Sequence, residues 1–134
     1  MSGEGCVSNW DSIPDEVVRR GVSRKGFGTG DVILVMNEID PEIELSPHKH
    51  DDFDQIATIV EGTAVYHVGD TGHPVGPGSL LLIPAGVMHY IEPTGDGPVR
   101  NLDVFAPARA DYRHLLTWMD TEAAAPSPGP TGPG

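Results

Sequence analysis

No apolar run in the body of this chain is long enough for a buried helix. Residues 32–36, 56–60 and 80–83 are the clearest apolar runs, and each is only four or five residues long. Between them fall turn-forming residues: Asp40-Pro41, Glu61-Gly62, Gly69-Asp70, Pro84-Ala85-Gly86 and Pro93 to Pro98. Gly supplies positive φ and Pro fixes φ, so such punctuation ends strands rather than extending helices. The whole chain holds 17 Gly and 13 Pro in 134 residues, too many for a helical bundle. Short strands divided by close turns predict an all-β domain, a sandwich or a barrel.

The pattern predicts the following elements. Residues 32–36 form a first clear strand. Ile43 and Leu45 alternate with Glu42, Glu44 and Ser46, which predicts a half-buried strand. Residues 56–60 and 63–68 flank Glu61-Gly62 and read as a hairpin. Residues 69–72 are a turn, 80–83 a buried strand, 87–91 the strand after the Pro84–Gly86 corner, and 99–105 the last strand. Only 111–119 reads as a helix: Asp111 opens it, and Tyr112, Leu115, Leu116 and Met119 share one face. Residues 1–9 read as a loose leader. From Thr121 the sequence TEAAAPSPGPTGPG has almost no large apolar groups to offset its ordering entropy, so residues 121–134 are expected to be a disordered tail. The folded domain is expected over 10–120.

Charge excludes several functions. Eight basic residues stand against 20 acidic ones, a net charge of −12, with no basic cluster of the kind that displaces counterions from nucleic acid. No basic amphipathic segment suits an anionic membrane, and no apolar run approaches the ~20 residues needed to span one. The single cysteine, Cys6, cannot form an internal disulfide. The start, MSGEGCVSNW, lacks the features of a signal peptide, so a cytoplasmic location is the expectation.

The histidines carry the chemistry. His48 and His50 stand at i and i+2, which on an extended chain turns both imidazoles to one side, as two ligands of one ion require. Gln55 follows five positions after His50, and Gly62 seven further on. A second stretch runs Gly78, Pro84, Gly86, His89: a strand, a tight corner and a histidine leading the next strand. Asp54 is the rival to Gln55 as a ligand. A set of histidines hydrogen-bonded without metal is the alternative reading. His67, His73 and His114 are expected at the surface.

The two stretches HKHDDFDQIATIVEG and GSLLLIPAGVMH resemble the two motifs of the cupin superfamily. Glu42 stands where the family often has glycine and Pro93 where it often has asparagine. The resemblance implies a jelly-roll barrel (a double-stranded β-helix) with a short C-terminal helix. It also implies one divalent ion, Zn, Ni, Fe, Co or Mn, held by His48, His50, Gln55 and His89. Many cupins carry glutamate where this chain has Gln55. Three imidazoles and an amide are all neutral, so the ion keeps its full charge and remains a strong Lewis acid. That favours polarising a carbonyl or hydroxyl over dioxygenase chemistry. Cupins of this kind often dimerise through an N-terminal strand, so a homodimer is an expectation of the resemblance.

The run Asp103-Val104-Phe105-Ala106-Pro107-Ala108-Arg109 resembles the closing strand of small cupins of pectin and alginate breakdown, which convert unsaturated uronates from the ring form to the linear keto form. The resemblance implies that Asp103 moves a proton, Phe105 walls the substrate ring and Arg109 forks onto a carboxylate. By parity Asp103 and Phe105 share one strand face and Leu102 and Val104 the other. Either pair could face inward, and Arg109 could instead pair with Asp111 at the surface. Three functions follow, each with a small molecule as partner. They are a Lewis-acid isomerase or lyase-type enzyme, a natural-product tailoring cupin (a polyketide cyclase or an iron or copper dioxygenase), and a non-enzymatic binding module.

Overall fold

A computed structural model describes residues 5–124. The first four residues of the expected leader, and the expected tail from residue 125 on, lie outside the described residues.

Among the described residues nine strands form two antiparallel sheets. β1 (Glu16–Arg19), β2 (Val22–Gly28), β3 (Ile33–Ile39), β4 (Gln55–Glu61), β7 (Leu80–Ile83) and β9 (Val99–Phe105) make a six-stranded sheet in the order β1-β2-β3-β9-β4-β7. β5 (Ala64–Val68), β6 (Thr71–Val75) and β8 (His89–Pro93) make a three-stranded sheet in the order β6-β5-β8. The described residues end in a 3-10 helix, Ala110–Leu116, that continues as α1 (Thr117–Ala124). This is an all-β jelly roll with a short C-terminal helix, the fold class that the sequence predicts.

The sheets face each other across one core. Ile39, Ile59, Ile83 and Val99 from the larger sheet pack against Ala64 and Tyr66 from the smaller. These positions alternate with more exposed neighbours because successive strand residues point to opposite faces. A second cluster, Ile33, Val35, Phe105 and Leu115, closes one end of the barrel, where the 3-10 helix crosses β2. Full burial of each such side chain contributes about 1.5–3 kcal/mol. The helix can approach β2 only because residue 26 is glycine: a Cβ there would lie 2.6 Å from that of Leu115. Trp118 fixes the same contact, its Nε1 donating to the Gly26 carbonyl at 2.9 Å. On the outer face of β4 and β7, Ile56, Leu80 and Leu82 stay exposed.

Several sequence expectations need correction. Residues 43–45 form no strand; Ile43 packs against the core from a loop and Leu45 is exposed. Their alternation records burial without a pairing partner. β4 and β5 are not a hairpin. β4 pairs with β7 and β9, β5 with β6 and β8, and the Glu61-Gly62 turn carries the chain from one sheet to the other. Gly62 has φ of 86°, and a Cβ on it would meet the Pro98 carbonyl at 2.6 Å, so the crossing needs glycine. β1, β2 and β6 were not foreseen. β1 and β2 carry Arg19, Arg24 and Lys25 rather than an apolar run, and β6 contains Gly72 and Pro74 in a strand at the sheet edge. The expected 111–119 helix is a 3-10 segment followed by α1, and α1 runs to Ala124, past the expected domain boundary at 120.

Candidate metal centre

His48 lies outside the strands but makes an isolated bridge with His89, the first residue of β8. The ring centroids are 4.3 Å apart for His48 and His89, and 5.3 Å from His50 to each of the others. One nitrogen from each ring comes within 4.8 Å of the others. The corner at Pro84–Gly86 holds His50, since Gly86 N–H donates to the His50 carbonyl at 2.7 Å.

Backbone carbonyls choose the ligating nitrogens. His48 Nδ1 lies 2.8 Å from the Ser46 carbonyl and His89 Nδ1 lies 3.0 Å from the Val87 carbonyl. A carbonyl accepts only, so each Nδ1 carries the proton and each Nε2 presents its lone pair. His89 Nε2 is buried without a partner, which is costly unless something binds it. Burial, reinforced by the charge of Arg109 and the neighbouring imidazoles, lowers the His50 pKa to about 4. Burial likewise lowers that of His89. Both rings are therefore neutral at neutral pH, the form a cation requires.

Gln55 opens β4 on its inner face and is buried. Its Nε2 donates to Asp103 Oδ1 at 2.8 Å, and its Oε1 is buried without a partner. Asp54 is exposed, and its Oδ1 accepts from Ala85 N–H at 2.9 Å. The three histidines suit a divalent ion, with the carbonyl-bound Nδ1 atoms of His48 and His89 acting as the outer support such sites use, and Gln55 Oε1 is a further oxygen without a partner.

Asp103 lies on the same face of β9 as the buried Asn101 and Phe105. Three amides donate to it: Gln55 and Asn101 to Oδ1, at 2.8 and 2.9 Å, and Asn37 to Oδ2 at 2.9 Å. Burial raises its pKa to about 6 against the pull of these bonds. Tyr66 is also buried, its phenol pKa pushed up by burial and then by the charge of Asp103.

Phe105 meets Phe53, Tyr112 and His50 edge to face, at 5.6, 5.4 and 6.5 Å between centroids. Arg109 covers these rings, 4.1 Å from Tyr112, 4.7 Å from Phe53 and 5.3 Å from Phe105. Its fork is already engaged by a neighbouring carboxylate. Nε and Nη2 donate to the two carboxylate oxygens of Asp111 at 3.0 and 2.5 Å. Only Nη1 remains, buried and unpartnered.

His67 is half-buried, stacked on Tyr90 at 4.2 Å and 2.9 Å from Glu92, while His73 is exposed. His114 pairs with Glu16 at 2.8 Å. None of the three belongs to the triad. Sequence reasoning missed Asn37, Asn101 and Phe53. The signal was present for the asparagines: each is a polar residue at a core-facing parity position, and they pair directly across β3 and β9.

A family model described as "Cupin domain" matches residues 35–105. No sequence among curated proteins matches the chain. Among solved structures, that of KdgF from Halomonas sp. superposes with a TM-score of 0.71 at 25% identity, covering 80% of this chain and 97% of that one. An RmlC-like cupin from Shewanella frigidimarina gives 0.69 at 24% identity over 78% and 93%. A sugar phosphate isomerase from a cupin superfamily, from Silicibacter pomeroyi, gives 0.63 at 23% over 72% of each. The last two speak for the fold alone.

Proposed function

This chain belongs to the cupin family, and we propose that it is a metal-dependent enzyme that isomerises or ring-opens a small oxygenated substrate, with an unsaturated uronate as the model. The observation that carries this reading is the inward-facing carboxylate of Asp103, held beside the candidate ligand Gln55 but outside the donor set. The similarity to KdgF at 25% identity supports the same direction.

His48, His50, His89 and Gln55 would hold one divalent ion, which when bound would polarise a hydroxyl or carbonyl oxygen. The chain's own residues do the rest. Asp103 Oδ1 already accepts two hydrogen bonds and Oδ2 only one. A carboxylate oxygen has two lone pairs, so Oδ2 is the atom free to take a proton from the substrate and return it. Phe105 and Phe53 exclude water from one side. Arg109 Nη1 grips a single oxygen of an acidic group, because its other edge is spent on Asp111.

Asp103→Asn at saturating metal tests the reading. Turnover of an unsaturated uronate, followed as loss of the ring form by NMR, should fall by about 100-fold or more, the usual worth of a positioned acid–base group. Survival within a few-fold would show that Asp103 is not the proton carrier.

A further inference from the structure

The side-chain amide of Gln55 can present either of two faces to a cation. Its oxygen binds; its nitrogen, which has donors only, repels. A half-turn about the last side-chain bond exchanges them, so something must choose. We infer that Asp103 makes this choice: it is the positioning residue that turns the Gln55 oxygen towards the ion. The inference rests on the reading of Gln55 as a ligand, and is independent of the reaction.

The geometry carries it. Gln55 Nε2 is committed to Asp103 Oδ1 at 2.8 Å, which leaves Oε1 buried, unpartnered and free to ligate. Turning the amide over would break a charge-assisted bond and set Oε1 against a carboxylate oxygen. Asp103 is itself held, because Asn101 donates to Oδ1 and Asn37 to Oδ2. All three neighbours offer N–H. Only a group that accepts on both atoms satisfies them together, and an ionised aspartate is such a group while asparagine is not.

The same bond explains why position 55 is an amide. A glutamate there would have no hydrogen to give, and two carboxylates would stand at hydrogen-bond distance. The negative charge that many cupins place on the ion directly is here displaced outward by one side chain. Asn37 and Asn101, on neighbouring strands of the large sheet, complete the support.

Cobalt binding by the metal-stripped protein, without substrate, tests this. Cobalt(II) is titrated into wild type, Q55A, D103N and D103N/Q55A, and followed by its visible absorption; melting of each stripped protein reports folding. Q55A should weaken cobalt and alter its spectrum. D103N should weaken it by about ten- to a hundredfold, as loss of a ligand's outer partner does. In the Q55A background D103N should cost much less, since no amide is left to orient and only a nearby charge is lost. Equal losses in both backgrounds, or wild-type affinity in D103N, would overturn the inference. An unchanged affinity in Q55A would remove Gln55 as a ligand and the inference with it. If D103N does not fold, Asp103→Ala serves, as it removes the acceptor without setting a donor against the neighbouring amides: it should weaken cobalt in the wild-type background and much less in Q55A, and equal losses in both would overturn the inference. None of these results depends on turnover, so failure of the isomerase reading would be seen separately.

Discussion

His48 and His89 exchange both of their backbone hydrogen bonds, His48 N–H to the His89 carbonyl at 3.0 Å and His89 N–H to the His48 carbonyl at 2.8 Å. Two candidate ligands distant in sequence are thus tied by their main chains. The bridge fixes the spacing of these two backbones without using their side chains, so binding need not bear the cost of bringing the two segments together.

This leads to the first prediction. His48→Ala/His89→Ala keeps the bridge, because alanine retains the N–H and carbonyl. The double variant should fold, yet its metal content after loading and desalting should fall below about a tenth of the wild-type value, since each lost ligand removes a coordinate bond. Undiminished metal in elemental analysis would remove the triad as the binding site.

The three histidines were legible as a group through the resemblance of the two stretches that carry them, and each stretch encodes its own local geometry. The corner Pro84-Ala85-Gly86 places His89, and Gly86 adopts the positive φ of 80° that such a corner requires. Strand parity in β9 was equally local: Leu102 and Val104 had to alternate with Asp103 and Phe105. What could not be read was sheet membership. β4 and β5 adjoin in sequence but pair with β9 and β8, more than 20 residues away. That choice is made by the core between the sheets, not by the turn at Gly62. The Arg109–Asp111 fork was legible only as an alternative, because an (i, i+2) pair meets or separates according to a turn the sequence leaves open.

The second prediction concerns acid stability of the stripped protein. In the unfolded chain His50 takes up a proton near its usual 6.5, but in the folded chain only near 4. Stability from this group is therefore full above about pH 6.5 and is lost as pH falls towards 4. His89 is shifted in the same direction and adds to the loss. Asp103 has the opposite sign: its pKa is raised to about 6, so the folded state binds its proton first and gains stability between about 6 and 4. Melting temperatures at pH 7.5 and 5.0 should show a smaller acid loss in His50→Gln than in wild type, and a larger one in Asp103→Asn. Parallel slopes in all three would refute the burial-driven shifts.

The third prediction separates two roles of Arg109. Its guanidinium is bracketed by Tyr112, Phe53 and Phe105, and its Nε and Nη2 are held by Asp111. It could serve only to cement these rings, or it could also present Nη1 to an acidic substrate. Arg109→Met fills the space without charge or donors. If Arg109 binds substrate, the variant should raise KM for an anionic substrate by about tenfold or more, as a lost charged hydrogen bond of about 1.5–3 kcal/mol implies. The value of kcat should change far less, because this contact is the same in ground and transition states. Asp111→Ala should behave differently. It frees the fork without removing the charge, so KM should stay within about threefold of wild type while the melting temperature falls modestly, as expected when a half-exposed ion pair is lost. Kinetics of both variants on one anionic substrate decide the matter. Equal KM values for wild type and Arg109→Met, with a shared loss of melting temperature in both variants, would reduce Arg109 to a brace for the aromatic wall.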